Sequence, residues 1–216
     1  MQPEPGDAGR RPDPAEQFGW IDIYLFDQIL RGRIAPGMRI LDAGCGGGRN
    51  LTYLLRSGCE VFGADEGSGG IAVVRALAAS LAPQLPPTNF RREAVESMTF
   101  AKHSVDVVIS IAVLHFARDD GHFWAMLRRM WEILAPGGLF FCRLASNIGM
   151  ESRVRHLQGR RFLLPDSSER YLVDEAMLLA ATHELEADLL DPLKTTIVQN
   201  QRCTTTWVLR KRATSV

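Results

Sequence analysis

Nine residues, Asp42-Ala43-Gly44-Cys45-Gly46-Gly47-Gly48-Arg49-Asn50, stand between a short apolar run and a stretch of helical spacing, and they limit the fold more than anything else in the chain. Glycines at this density let the backbone turn tightly and come close to a ligand, and a helix starting just after them offers free N–H groups. A strand that enters such a turn and a helix that leaves it form the first half of a parallel β-α-β unit. The turn also suits a bare strand-to-helix connection that holds nothing, so the residues around it must decide.

The rest of the chain repeats the alternation. Residues 38–43 predict a first strand and 49–57 the helix after it, ended by Gly58; 60–64 predict a second strand and 71–81 an alanine-rich helix stopped by Pro83. A third strand is expected over 89–94. A fourth, over 105–113, is apolar enough to be buried on both faces. A helix over 122–134, ended by Pro136 and Gly137, leads to a fifth strand over 139–144. This order predicts an α/β fold: a doubly wound, Rossmann-like, mostly parallel sheet of seven strands. A helix over 174–183 then precedes two β-rich runs, 186–198 and 204–210, which read as a C-terminal antiparallel hairpin.

At the other end, residues 1–16 hold four of the eleven prolines and little apolar surface, which predicts a disordered tail. From Phe18 the text suits one amphipathic helix closed by Gly32. A single domain over 17–216 is therefore expected.

Composition narrows the function. Twenty-five basic side chains balance twenty-five acidic ones, so no global charge draws the chain to nucleic acid or an anionic membrane. Cys45, Cys59, Cys142 and Cys203 lie far apart with no CxxC pair, so neither a metal site nor a disulfide framework is expected, and reduced thiols fit a cytoplasmic protein. Neither a secretory signal nor an eighteen-residue apolar run is present in the sequence. The expected partner is a small molecule, and the expected state a monomer or homodimer.

Twenty-one residues after Gly44, Asp65 ends the second strand, where a carboxylate can accept hydrogen bonds from both hydroxyls of a ribose. That spacing implies an adenosine-type ligand. The dinucleotide pattern GxGxxG fails, because Arg49 occupies its third glycine position. Asp42 would repel a pyrophosphate yet attract a sulfonium or ammonium group. A nicotinamide-dependent oxidoreductase is disfavoured on both counts.

These residues resemble the class I S-adenosylmethionine-dependent methyltransferases. Their first motif, (D/E)xGxGxG, is matched by Asp42, Gly44, Gly46 and Gly48, and their second, an acidic residue within VxGVDxSxxxI, by Asp65 in the phrase 61–71. The stretch from Glu93 to Phe116 follows their GDAxxLPFxDxSFDVVxSxxVLHH line without a gap, and 132–138 echoes RxLKPGG. The likeness spans 39–144. The GRN ending of the glycine loop and the compact tail are also similar to tellurite-resistance and thiopurine-type members.

The resemblance implies S-adenosylmethionine as cofactor, with Asp42, Gly44, Cys45 and Gly46 at its methionine end and Asp65 at the ribose. Val95 and Ala94 would lie at the adenine, with Glu66 and Ile111 as further contacts. It implies in-line methyl transfer to an acceptor O, N, S or metalloid atom of a small molecule, where alignment supplies much of the catalysis. The family's adenine-facing Asp falls on Ala94, so the Val95 backbone, Glu93 or Glu96 must replace it. Asp106 matches a structural position of the family.

On the acceptor side, His115 just past the fourth strand suits a general base, and equally a histidine that only caps a pocket. Trp20, Tyr24 and Phe116 are candidates for an apolar wall and also for simple core. The segment 147–170 lies where the family often inserts a substrate cover, and its arginines from Arg153 to Arg161, like Arg202 in the hairpin turn, are candidates to bind an oxyanion or to be solvated. A protein that binds the cofactor without catalysis, as a sensor or supporting subunit, is the alternative function.

Overall fold

The computed structural model describes residues 13–213. Five strands in parallel or near-parallel order build the centre of the sheet: β1 (Arg39–Ala43), β2 (Glu60–Asp65), β3 (Phe90–Arg92), β4 (Val105–Ile111) and β5 (Leu134–Ala145). They lie in the order β3-β2-β1-β4-β5, all pairs parallel. The chain reverses direction across the sheet between β1 and β4, which is where open α/β sheets leave a crevice at their carboxyl edge. The antiparallel end is β11 (Arg202–Lys211) against β5, with β10 (Lys194–Val198) and β9 (Ala187–Leu189) both paired to β11. The expected seven-stranded doubly wound sheet is present, with its last outer strand split in two: Asp191 and Pro192 stand between β9 and β10, and Pro lacks the N–H that pairing requires.

Alternating side chains bury both faces. Leu41, Val108, Phe140 and Trp207 join one core beneath the helices α5 (Asp120–Ile133) and α6 (Glu175–Glu184). Ile40, Val107, Phe141 and Val208, one residue away in each strand, join the other core with α3 (Thr52–Arg56) and α4 (Ser68–Leu81). Asp106 fixes the lower end of β1, accepting the Arg39 amide at 2.9 Å and its guanidinium at 2.6 Å.

Three expectations change. The helix from Phe18 to Gly32 is two helices, α1 (Pro14–Phe18) and α2 (Ile23–Leu30), because Gly19 adopts φ +64° and ends the first. Pro14 to Glu16 are thereby helical instead of tail and Asp13 caps them, while residues 1–12 of the expected tail lie outside the described residues. The helix after the glycine turn begins at Thr52, so it is a five-residue helix and not nine. Residues 147–170 are not a loop: β6 (Arg155–Gln158), β7 (Arg161–Leu163) and β8 (Glu169–Tyr171) form a separate three-stranded antiparallel sheet.

The N-terminal helix is tied to the C-terminal strands. Asp191 accepts from Gln28 Nε2 at 3.1 Å, Arg33 Nη1 at 2.8 Å and Arg31 Nη1 at 3.2 Å. The hydroxyls of Tyr24 and Thr196 are 2.8 Å apart, and Asp22, which caps α2 through the amides of Tyr24 and Leu25, pairs with Arg143 on β5.

Candidate functional site

At the carboxyl edge of the sheet two cavities lie side by side. The first, about 310 Å³, is lined by Gly44, Asp65, Glu66, Val95, Glu96 and Met126 among others. The second, about 400 Å³, is lined by Ile111, His115, Arg143, Leu164, Arg170 and Arg202 among others. Ala112 and Phe116 belong to both and form the wall between them.

The glycine turn is shaped by its own hydrogen bonds. Gly44 N–H and Cys45 N–H both donate to Ala64 O, at 2.8 and 3.0 Å, and Gly46 N–H donates to Asp65 Oδ2 at 2.9 Å. These three amides hold the turn against β2. Gly44 is required twice over, since it sits at φ +81° and a Cβ there would fall 2.3 Å from Val113 Cγ2. Asp65 also accepts Gly67 N–H on Oδ1 at 2.8 Å, so two amides fix the carboxylate at the cavity floor while lone pairs remain for a ligand.

Asp42 lies behind the turn. It is buried, and its Oδ2 has no hydrogen-bond partner among the described residues. Burial pushes its pKa up to about 7; Arg49 opposes that shift and Asp65 adds to it. Asp42 lines neither cavity, but such an orphaned buried acceptor behind Gly44, which does line the first, fits a cationic ligand group and leaves a neutral one less rewarded. Cys45 is buried too, its thiol pushed far up by burial and 3.7 Å from Gly46 O, so it packs as a thiol inside the turn.

The 3₁₀ turn Val95–Ser97 supplies the next wall. Val95 lines the first cavity, whereas Ala94 caps the turn by accepting Ser97 N–H at 3.0 Å. Of the two acidic candidates, Glu93 is spent on Thr99, accepting its amide at 2.7 Å and its hydroxyl at 2.5 Å. Glu96 faces the cavity, with His122 Nε2 at 3.0 Å. Ile111 lines the second cavity, not the first. Ala112 has φ +61°, a strained value for a residue with a Cβ, and its amide donates to Arg143 O at 2.9 Å. This bend turns the end of β4 into the wall between the cavities.

His115 occupies the 3₁₀ turn Leu114–Phe116 and reaches β5, where its Nδ1 accepts Ala145 N–H at 3.2 Å. The bond fixes the proton on Nε2. Burial, with Arg170 nearby, pushes the pKa down to about 4, so the ring is a neutral donor. In this arrangement the lone pair that a base would use is engaged by the Ala145 amide. Trp20 is likewise moved off the site. It stands 79% exposed in the link between α1 and α2 and lines neither cavity. Tyr24 stacks beside Arg143, 4.6 Å from its guanidinium carbon, and Phe116 is on the shared wall beneath Arg170 at 5.0 Å.

Arg202 lines the second cavity, but the arginines from Arg153 to Arg161 do not. Arg160 pairs with Asp174 at 2.9 Å and Arg161 with Glu169 at 3.0 Å. Arg143 and Arg170 take their place at the cavity, two residues that the sequence did not single out. Strand alternation offered a signal for Arg143, the one charged residue in an otherwise apolar fifth strand. Among the described residues no group of three or more His, Cys, Asp or Glu side chains is placed to hold a metal, and no helix is long and apolar enough to cross a membrane.

Comparison with known proteins agrees with this geometry. Residues 41–142 match the family model of a methyltransferase domain. The ubiquinone biosynthesis O-methyltransferase of Ruegeria pomeroyi is 34% identical over 118 residues, 54% of this chain and 45% of that protein. The chain thus spans about half the length of the curated relatives it matches. A SAM-dependent methyltransferase structure from Methanosarcina mazei superposes with TM-score 0.68 at 20% identity, covering 86% of this chain and 98% of that one. The 1,6-didemethyltoxoflavin-N1-methyltransferase of Burkholderia thailandensis, solved with bound 1,6-didemethyltoxoflavin and S-adenosylhomocysteine, gives a TM-score of 0.66 at 18% identity, covering 87% of this chain and 76% of that one.

Proposed function

We propose that this chain, whose residues 41–142 belong to the methyltransferase-domain family, transfers a methyl group from S-adenosylmethionine to a small-molecule acceptor. The observation that carries the reading is the pairing of Asp65, held by two amides at the floor of the first cavity, with the orphaned Asp42 carboxylate behind the glycine turn. The donor set fits the cofactor: a carboxylate for the ribose hydroxyls, a buried acidic group for the cationic methionine end, and Glu96 for the exocyclic amine of adenine in place of the aspartate that Ala94 lacks. Bound S-adenosylmethionine supplies an electrophilic methyl group open to in-line displacement.

The protein's own residues bind and align. Asp65 and Glu96 orient the adenosine, Val95 and Met126 cover it, and Gly44 lets the backbone approach. The second cavity, reached across Ala112 and Phe116, receives the acceptor. His115 donates a hydrogen bond from Nε2 and takes no proton, so a nucleophile that must be deprotonated loses its proton to water or ionises before binding. This division of labour places catalysis mainly in alignment. We take the protein to act in the cytoplasm as a monomer or homodimer.

Calorimetric titration with S-adenosylmethionine, S-adenosylhomocysteine and NAD tests the reading. Micromolar binding of the first two, about 8 kcal/mol, with none of NAD is expected. Failure of both adenosyl ligands to bind would sink it.

A further inference from the structure

We propose that the second cavity is an anion subsite, and that the methyl acceptor is an apolar molecule carrying a carboxylate or phosphate gripped by Arg170 and Arg202. The inference rests on the methyl-transfer reading for calling this molecule an acceptor, and on the cavity itself for its charge.

Four guanidinium groups, of Arg49, Arg143, Arg170 and Arg202, line this one cavity in a chain of zero net charge. Two carboxylates line it as well. Asp22 is committed to Arg143 and to the amides that begin α2; Asp166 accepts the amide and hydroxyl of Ser168 at 3.0 and 2.5 Å, and these bonds, with the charges of Arg202 and Arg170 adding at longer range, hold its carboxyl below the usual range. Among the described residues, Arg49, Arg170 and Arg202 have no carboxylate within ion-pair distance, although Arg160, Arg161 and Arg212 nearby in sequence all have one. Arg143 adds a buried Nε with no partner. Guanidinium donors that outnumber the carboxylates beside them four to two, with Arg143 and Arg170 half-buried and Arg49 and Arg202 exposed at the rim, are an arrangement that rewards an incoming oxyanion.

Two further features orient that anion. Arg170 lies 5.0 Å over the Phe116 ring and donates Nη1 to Glu169 O at 2.7 Å, which holds its plane and leaves the remaining N–H groups for a ligand. Ile111, Ala112, Phe116, Ala145 and Leu164 give the wall an apolar part, beside the polar His115, Ser168 and Thr204. The ligand therefore has an apolar body along Ile111 and Leu164, an anionic end toward β8 and β11, and its reacting atom toward the wall shared with the first cavity. Arg49 sits apart from this set: it is the cation acting on Asp42, at the foot of the glycine turn, where the carboxylate of the methionine end needs a partner.

Matched pairs separate charge from shape. Benzoate against benzamide, and phenyl phosphate against phenol, are titrated calorimetrically into the full chain saturated with S-adenosylhomocysteine and into the chain alone, at one ionic strength. The anionic member of at least one pair is expected to bind about tenfold tighter or better, and the pair that shows it tells carboxylate from phosphate. In the double variant Arg170→Gln/Arg202→Gln the preference should fall below about threefold while S-adenosylhomocysteine affinity holds, which also shows the variant is folded. Arg49→Gln should do the reverse. Equal or undetectable binding of both members, or a preference that survives the double variant, overturns the proposal. An anion preference in a protein that binds no S-adenosylhomocysteine keeps the subsite and overturns the acceptor assignment.

Discussion

Asp42 makes a prediction that distinguishes a cationic ligand from any other. Its carboxyl has a pKa near 7 in the ligand-free protein, against 3.8 in an ordinary aspartate. The difference of about 3 units corresponds to at most about 4 kcal/mol. Because the folded value is the higher one, the sign is unfavourable to the charged form: the stability is complete below about pH 4 and is lost as pH rises toward 7. A cationic group bound near Oδ2 reverses this by drawing the carboxyl back to its ionised state. At pH 7 roughly half the molecules then release a proton on binding, rising toward one proton near pH 5.5 and falling toward none by pH 8. Titration of S-adenosylmethionine in buffers of different ionisation enthalpy measures that number. Asp42→Asn should abolish the release, weaken binding, and stabilise the free protein at pH 7 by a few kcal/mol. A binding enthalpy independent of buffer at pH 7, or an unchanged release in Asp42→Asn, refutes the assignment.

Asp65→Ala removes the ribose acceptor and the Gly46 tether together and should cost about 1 to 3 kcal/mol of S-adenosylhomocysteine affinity; unaltered calorimetric affinity contradicts its role. If Glu96 reads the adenine amine, the protein should prefer S-adenosylhomocysteine over the inosine analogue by about tenfold, and Glu96→Gln should narrow the gap. His115, held down near pKa 4, contributes stability that is present above about pH 6.5 and lost as pH falls toward 4. Urea unfolding across that window should show a slope that His115→Gln lacks, and turnover between pH 5.5 and 8 should show no inflection that the same variant removes. Gly44→Ala forces a Cβ to 2.3 Å from Val113 in a left-handed backbone, so cofactor binding should be lost; pairing it with Val113→Ala relieves the contact but not the φ angle, and rescue should be partial.

The parts of the site that the sequence made legible are those where backbone geometry dictates residue type. The turn at 44–48 demands glycine, Asp42 stands just before it, and Asp65 at the end of β2 follows at a spacing set by one β-α-β unit. The succession of strands and helices follows from the alternation of buried runs, which is why the parallel β1 to β5 and the antiparallel C-terminal strands match expectation. The small sheet of β6, β7 and β8 escaped because strands of three or four residues are too short for periodicity to register. The choice among arginines escaped for another reason: Arg160 and Arg170 are equivalent in sequence, and only the pairing with Asp174 separates the neutralised one from the one facing the cavity. His115 was placed correctly at the carboxyl edge, but its protonation depends on the amide of Ala145, thirty residues away. Likewise, nothing local told Glu93 from Glu96.

The ties between α2 and the last strands bear on how the protein is made. Gln28 and Asp191 are 163 residues apart, and a ribosome adding about 5 to 20 residues per second separates their synthesis by roughly 10 to 30 seconds. Throughout that interval α2 has no Asp191, no Thr196 and, for most of it, no Arg143 to dock against. α2 is therefore made long before it finds its place, and the second cavity, walled by Asp22 and Arg202, closes only after Arg202 has been made.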